Sequence, residues 1–193
     1  MGHGEIAVQR WEGLECASHL DIVLPMYKEV WAEPPYCEGP RETAEFVDRF
    51  AQEVFLPRAR LVVARVEGRP VGYAFGYPLP PDTGWWKAMD EEMPPEFAAE
   101  NGRRTLAVVE LAVRAGSRRR GIAARLHEQL RDGLGVERVT LAVRAEKEAA
   151  PAHAAYASWG YRRIGHWRPA DDKPESRIML LTLPPAGTDG EAG

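Results

Sequence analysis

Residues 109–130 read VELAVRAGSRRRGIAARLHEQL and hold the densest chemistry in the chain. Arg118, Arg119 and Arg120 stand directly before Gly121, and Ile122, Leu126 and Leu130 follow at the spacing of one helix face. A helix starting here presents backbone N–H groups with no intrahelical partner, and its dipole makes that end positive. Gly121 has no Cβ, so a ligand can approach the main chain. The arginines add positive charge at the same point. Together these residues describe an anion site, and phosphate is the usual anion there. Two nucleotide motifs fail. Gly116 and Gly121 have the outer spacing of a P-loop, but Ile122 and Ala123 stand where Lys and Ser/Thr would meet the γ-phosphate and magnesium. No G-x-G-x-x-G follows a strand, which argues against a dinucleotide fold. Glu110 is the one charge in residues 105–113, TLAVVELAV. A carboxylate in so apolar a run is costly unless it is paired or used, so Glu110 is either a buried structural pair or a functional base.

Periodicity and turn chemistry give the elements that must position these groups. Residues 5–10 alternate and read as a first strand. Residues 16–32 carry Leu20, Val23, Leu24, Tyr27 and Trp31 at helical spacing with Pro25 inside, which predicts a kinked helix or two short ones. Residues 41–55 predict a second helix, with Val47, Phe50 and Val54 on one face and Thr43 as a cap near its start. Residues 60–67 and 71–77 predict a hairpin about Gly68-Arg69-Pro70. The apolar run 105–113 suits a strand buried on both faces, at the centre of a sheet. A helix over 121–132, a strand over 139–143 and a helix over 151–159 follow, the last opened by Pro151 and closed by Gly160. Strands over 161–167 and 178–183 complete the order. The expected domain is α/β (mixed α+β), a central twisted mixed sheet of about six to seven strands flanked by helices. It spans 1–185 as one unit with an insertion over 80–103, and 186–193 are expected to be a disordered tail.

The run Arg118-Arg119-Arg120-Gly121-Ile122-Ala123, between a strand reading VELAV and an amphipathic helix, resembles the (Gln/Arg)-x-x-Gly-x-(Gly/Ala) signature of the GNAT superfamily of N-acetyltransferases. Residues 152–161, AHAAYASWGY, resemble that family's A-x-x-L-Y-x-x-x-G-F segment, with Ala155 at the Leu and Tyr161 at the Phe. The order of elements fits as well, apart from the insertion and the tail. The resemblance implies a GNAT-like fold, acyltransferase activity, acetyl-CoA as co-substrate and no metal. It implies that the backbone of Arg118, Arg119, Arg120, Gly121, Ile122, Ala123 and Ala124 holds the CoA pyrophosphate. It places the pantetheine arm along Leu111, Ala112 and Val113. Tyr156 becomes the general acid toward the departing thiolate, and Glu110 a base on the acceptor side, acting directly or through water. Ala149 stands where many members have Asn, so a coenzyme contact made by that Asn is lost or supplied elsewhere. Family members are often dimers, so a homodimer is an assembly the resemblance allows.

The implied reaction is attack of a neutral amine on the thioester carbonyl in a ternary complex. A fixed N–H such as that of Val113 would stabilise the charge growing on the carbonyl oxygen, and positioning could supply much of the acceleration. The five histidines show no metal-ligand spacing, and His127, His153 and His166 show no partner. The insertion sets Asp82, Asp90, Glu91, Glu92, Glu96 and Glu100 against Lys87. Its field would draw a cationic amine, Trp85 and Trp86 would either anchor the loop or pack over the ammonium, and Tyr36 would line the same cleft. The expected acceptor is therefore a primary amine of a small cationic molecule. Two alternatives stand beside it. A protein or peptide amine needs an open groove, which the bulky insertion disfavours. A non-catalytic CoA-binding regulatory module is disfavoured by Glu110 and Tyr156 together. A net charge of −4 and a pI near 5.8 argue against nucleic acid. No apolar run reaches the length of a membrane span. Cys16 and Cys37 match no zinc or thioredoxin-like pattern. With no signal peptide they read as free thiols of a cytoplasmic protein.

Overall fold

The computed structural model describes residues 5–168 and 174–184, so the tail expected over 186–193 lies outside the described residues. The elements are β1 (Ile6–Glu12), a 3-10 segment (Gly13–His19), α1 (Leu20–Trp31), α2 (Pro40–Glu53), β2 (Arg60–Val66), β3 (Arg69–Pro78), α3 (Pro95–Ala98), β4 (Thr105–Val113), α4 (Ile122–Arg131), β5 (Arg138–Arg144), α5 (Ala150–Ser158), β6 (Arg162–Trp167) and β7 (Ser176–Thr182). The seven strands form one sheet in the order β1-β2-β3-β4-β5-β7-β6. Every pair is antiparallel except β4 with β5, the parallel pair that α4 connects. Pro25 does not divide α1. It sits in the second turn, where its ring crowds the Asp21 carbonyl and removes one helical bond without ending the helix, and the break falls earlier, at His19. At α2 the cap is Gly39, whose N–H donates to the Glu42 carboxylate at 2.9 Å, while the Thr43 hydroxyl donates to the Gly39 carbonyl at 2.9 Å from inside the helix.

Side chains alternate across the strands and feed two faces. On one, Val62, Ala74, Leu106 and Val108 meet Ile122, Leu126 and Leu130 of α4, with α5 beside it. On the other, Leu61, Val63, Tyr73 and Phe75 meet Val23 and Met26 of α1 and Phe46 and Phe50 of α2. Each fully buried Leu or Phe is worth roughly 1.5–3 kcal/mol. The insertion covers the rest of the second face, laying Trp86 and Met89 on Ala107, Ile178 and Leu180.

Two irregularities in β4 shape the site. Phe75 pairs with Glu110 and Gly76 with Val108, which leaves Val109 as the extra residue of a bulge. A bulge re-aims the side chains beside it, and here Glu110 points to the α1 and α2 face with Tyr73 and Arg49. Pairing of β4 with β5 runs from Thr105–Arg138 to Val108–Leu141 and ends there, while β5 continues beside β7 to Arg144. Beyond Val108 the two central strands part.

Candidate active site

A cavity of about 450 Å³ lies where β4 leaves β5, bounded by α4, α5 and the end of α1 with the loop after it. Leu111, Ala112 and Val113 form one wall, and Ala152, Ala155 and Tyr156 of α5 the other. Arg114 N–H donates to Val71 O at 2.9 Å. Antiparallel pairing alternates, so Ala112 also turns its backbone to β3, and Leu111 and Val113 turn theirs toward the gap. The start of α4 closes one end. Arg125 N–H bonds to Gly121 O at 3.1 Å, so the amides of Ile122, Ala123 and Ala124 precede the first helical bond. Gly121 is the N-cap, at φ +76° and without a side-chain cap. Ser or Asp there would occupy one of those amides; glycine leaves them to a ligand. A Cβ at Gly121 would meet nothing within 4 Å, so the backbone angle, not crowding, calls for glycine.

A second cavity of about 300 Å³ lies on the α1 and α2 side and shares Trp31, Tyr36, Leu111, Ala152 and Tyr156 with the first. The two adjoin through the gap in the sheet. Glu110 lines the second and is 5% exposed. One oxygen is paired with the Arg49 guanidinium, and the other accepts the Tyr73 hydroxyl at 3.2 Å, which in turn accepts Trp31 Nε1–H at 3.2 Å. Burial pushes the Glu110 carboxyl above its ordinary range, and Arg49 pulls back only part of that shift. Tyr156 packs edge-on against Trp159 and Tyr161, with ring centroids 5.5 and 5.6 Å away. Burial raises its phenol, with Tyr36 and Glu110 adding to the effect, so the hydroxyl keeps its proton. The arrangement thus offers a proton acceptor and a proton donor at the junction of two chambers, one of which ends in free amides.

Residues 23–161, well over half of the chain, match the family model described as "Acetyltransferase (GNAT) family". The chain belongs to the GNAT acetyltransferase family. It is therefore an acyltransferase of the kind that draws its acyl group from acetyl-CoA. Solved GNAT structures share its fold. The ribosomal-protein-S18-alanine N-acetyltransferase from Escherichia coli superposes with a TM-score of 0.61 at 19% identity, covering 96% of this chain and 98% of its own. The loading GNATL domain of CurA from Lyngbya majuscula gives 0.62 at 10% identity, over 92% and 98%. The PaiA N-acetyltransferase from Thermoplasma acidophilum, solved with coenzyme A, gives 0.59 at 9% identity, over 93% and 99%. No curated protein matches the sequence.

In this GNAT domain Leu111, Ala112, Val113, Arg118, Arg119, Gly121, Ile122, Ala123, Ala124, Tyr36 and Tyr156 all line the first cavity, and Glu110 the second. Free amides at α4 and a strand edge that β5 leaves, on which Arg118 takes only the Val113 carbonyl, fit a coenzyme with a diphosphate and an amide-bearing arm. Arg120 is not among the lining residues. Arg118 is largely committed to bracing, with Nε donating to Val113 O at 2.8 Å and Nη1 paired with Glu33 at 2.8 Å. Ala149, at the family's Asn position, does reach the first cavity but brings only a methyl group.

The insertion stands apart from what the sequence led us to expect. Trp86 is 3% exposed, donates to Glu100 at 2.9 Å and lies under the Arg138 guanidinium at 5.0 Å. Trp85 rests 6.0 Å from the Trp167 ring, and neither tryptophan lines either cavity. None of the six acidic side chains does so either. Glu100 is bound to Arg138, Thr105 and Trp86, and Glu91 to His166. The apolar residues of the loop have strands to cover, and the loop is spent on that. Sequence reasoning passed over Trp31, Glu38, Arg49 and Arg144, which do line the second cavity. The apolar setting of Glu110 signals that a partner exists, but nothing in the sequence says that it is Arg49. The histidines also have partners invisible in the sequence: His127 with the Tyr161 hydroxyl at 2.8 Å, His153 with Arg144 O at 2.8 Å, and His166 with Glu91 at 3.0 Å. Among the described residues no group of His, Cys, Asp and Glu is placed to hold a metal ion, and no helix is long and apolar enough to cross a membrane.

Proposed function

We propose that this GNAT domain transfers an acetyl group from acetyl-CoA to the primary amine of a small molecule, by direct attack in a ternary complex. The observation that carries the reading is the passage through the sheet, with Tyr156 lining both chambers and Glu110 beyond it. The diphosphate rests on the amides of Ile122, Ala123 and Ala124, and the thioester reaches the gap beside Val113. The acceptor arrives from the other side as an ammonium. Glu110, raised above an ordinary carboxylate, is suited to take its proton directly or through water. The Val113 N–H faces the growing oxyanion, and the Tyr156 hydroxyl protonates the leaving thiolate.

Size supports a small acceptor. The second cavity, about 300 Å³, has room for the body of a small acceptor. The cation in this reading is the ammonium itself, since the acidic residues of the insertion lie elsewhere. The test is a thiol-release screen of purified protein with acetyl-CoA over amino acids, polyamines, aminoglycosides and short peptides, run beside calorimetry with coenzyme A. We expect micromolar coenzyme binding and turnover of at least one small amine. Coenzyme binding with no turnover of any amine would overturn transfer, and turnover confined to peptides would overturn the small acceptor.

A further inference from the structure

Among the described residues, four charged side chains line the acceptor chamber, Glu38 and Glu110 against Arg49 and Arg144, two of each sign. They are not equally committed. Arg49 closes on Glu110, and Tyr73 fills the other Glu110 oxygen. Glu38 accepts the Tyr27 hydroxyl. Arg144 is different. Its Nη1 lies 3.3 Å from Glu146, a long contact for a charged pair, and that is its one side-chain hydrogen bond among the described residues. It is nevertheless held in place. Arg144 ends β5, His153 bonds its main-chain carbonyl at 2.8 Å, its guanidinium lies 5.7 Å from the Tyr36 ring, and its side chain is 19% exposed. A positioned, largely shielded guanidinium with spare donors matches the fork of a carboxylate.

We propose that the acceptor carries a carboxylate as well as its amine, and that Arg144 receives that carboxylate while the amine faces Glu110. This deepens the transfer reading and rests on it. A zwitterion brings one charge of each sign to a lining whose described side chains offer two of each. A diamine would bring a second ammonium toward Arg49 and Arg144, where it finds repulsion. The reaction leaves the carboxylate untouched: the ammonium gives one proton to Glu110, the amine nitrogen forms a bond to the acetyl carbon, the carbon–sulfur bond breaks, and the second nitrogen proton replaces the one that Tyr156 gives to the thiolate, so that coenzyme A departs as the thiol.

The test uses matched pairs, an amino acid beside its decarboxylated amine, such as phenylalanine with phenethylamine, methionine with 3-methylthiopropylamine and lysine with cadaverine. Thiol release gives kcat/KM, and calorimetry on the CoA-loaded protein gives affinity without turnover. We expect at least one pair in which the carboxylated member is favoured about tenfold or more. Arg144→Gln should bring that ratio close to one through KM, and Arg144→Lys should restore part of it. Coenzyme affinity, measured on each variant, certifies the fold. Turnover with bare amines equal or preferred, or a ratio unmoved by Arg144→Gln, overturns the carboxylate site and leaves transfer standing. Arg144-dependent binding of carboxylated amines without any thiol release does the reverse.

Discussion

Glu110 combines two properties that make it testable: it is buried, and it is already paired. If it is the base, the acid limb of the kcat/KM profile lies above the ordinary carboxylate range, and Glu110→Gln removes that limb with a loss of about 10²–10⁴ in kcat/KM. A purely structural pair would instead show a lowered melting temperature with the profile intact. Tyr156→Phe is expected to lower kcat by about ten- to a hundredfold, less than a typical general acid because thiolate leaves readily, with coenzyme affinity unchanged by calorimetry. His127 makes a stability prediction. Burial lowers its pKa to about 4, against 6.5 for the free side chain. The unfolded chain therefore takes up the proton first, so the stability His127 confers is present above pH 6.5 and drains away as pH falls toward 4. Thermal melts across that window should be steeper for the native chain than for His127→Phe. At this scale the sequence was half legible. Glu110 stood out by its apolar setting and Tyr156 only through the family resemblance, while Arg49, at a separation of 61 residues from Glu110, could not be named, because ion pairs across a sheet carry no spacing rule.

Elements were more legible than residues, since periodicity and turn chemistry are local. The strand–loop–helix unit from β4 to α4 follows from its apolar run, its glycine and its helical face. What local rules miss is irregularity. The bulge at Val109 and the early end of β4–β5 pairing depend on what the neighbouring strands do, and they create the site. The start of α4 offers the sharpest test at this scale. Asp tolerates the left-handed angle at Gly121 better than most residues and would cap the helix, so Gly121→Asp should keep the melting temperature within a few degrees. It should also fill the free amides and set a negative charge against a diphosphate, raising the Kd for coenzyme A by about tenfold or more.

For the whole molecule, composition and element order were enough to place the sheet and its flanking helices. The insertion was not legible. Its acidic and aromatic content reads equally as a binding surface or as a cover, and only the neighbouring strands decide. It is a cover, clamped at β6 where Glu91 accepts the His166 backbone N–H at 2.8 Å. Glu91→Gln should therefore speed amide exchange across residues 80–103 while the kinetic constants for both substrates stay put. The parting of β4 and β5 has one more consequence. The two chambers share Trp31, Tyr36, Leu111, Ala152 and Tyr156, so a ligand in one rests on walls of the other. Occupancy should therefore be coupled: by calorimetry, the Kd of an accepted amine should differ between the free protein and the protein loaded with desulfo-coenzyme A.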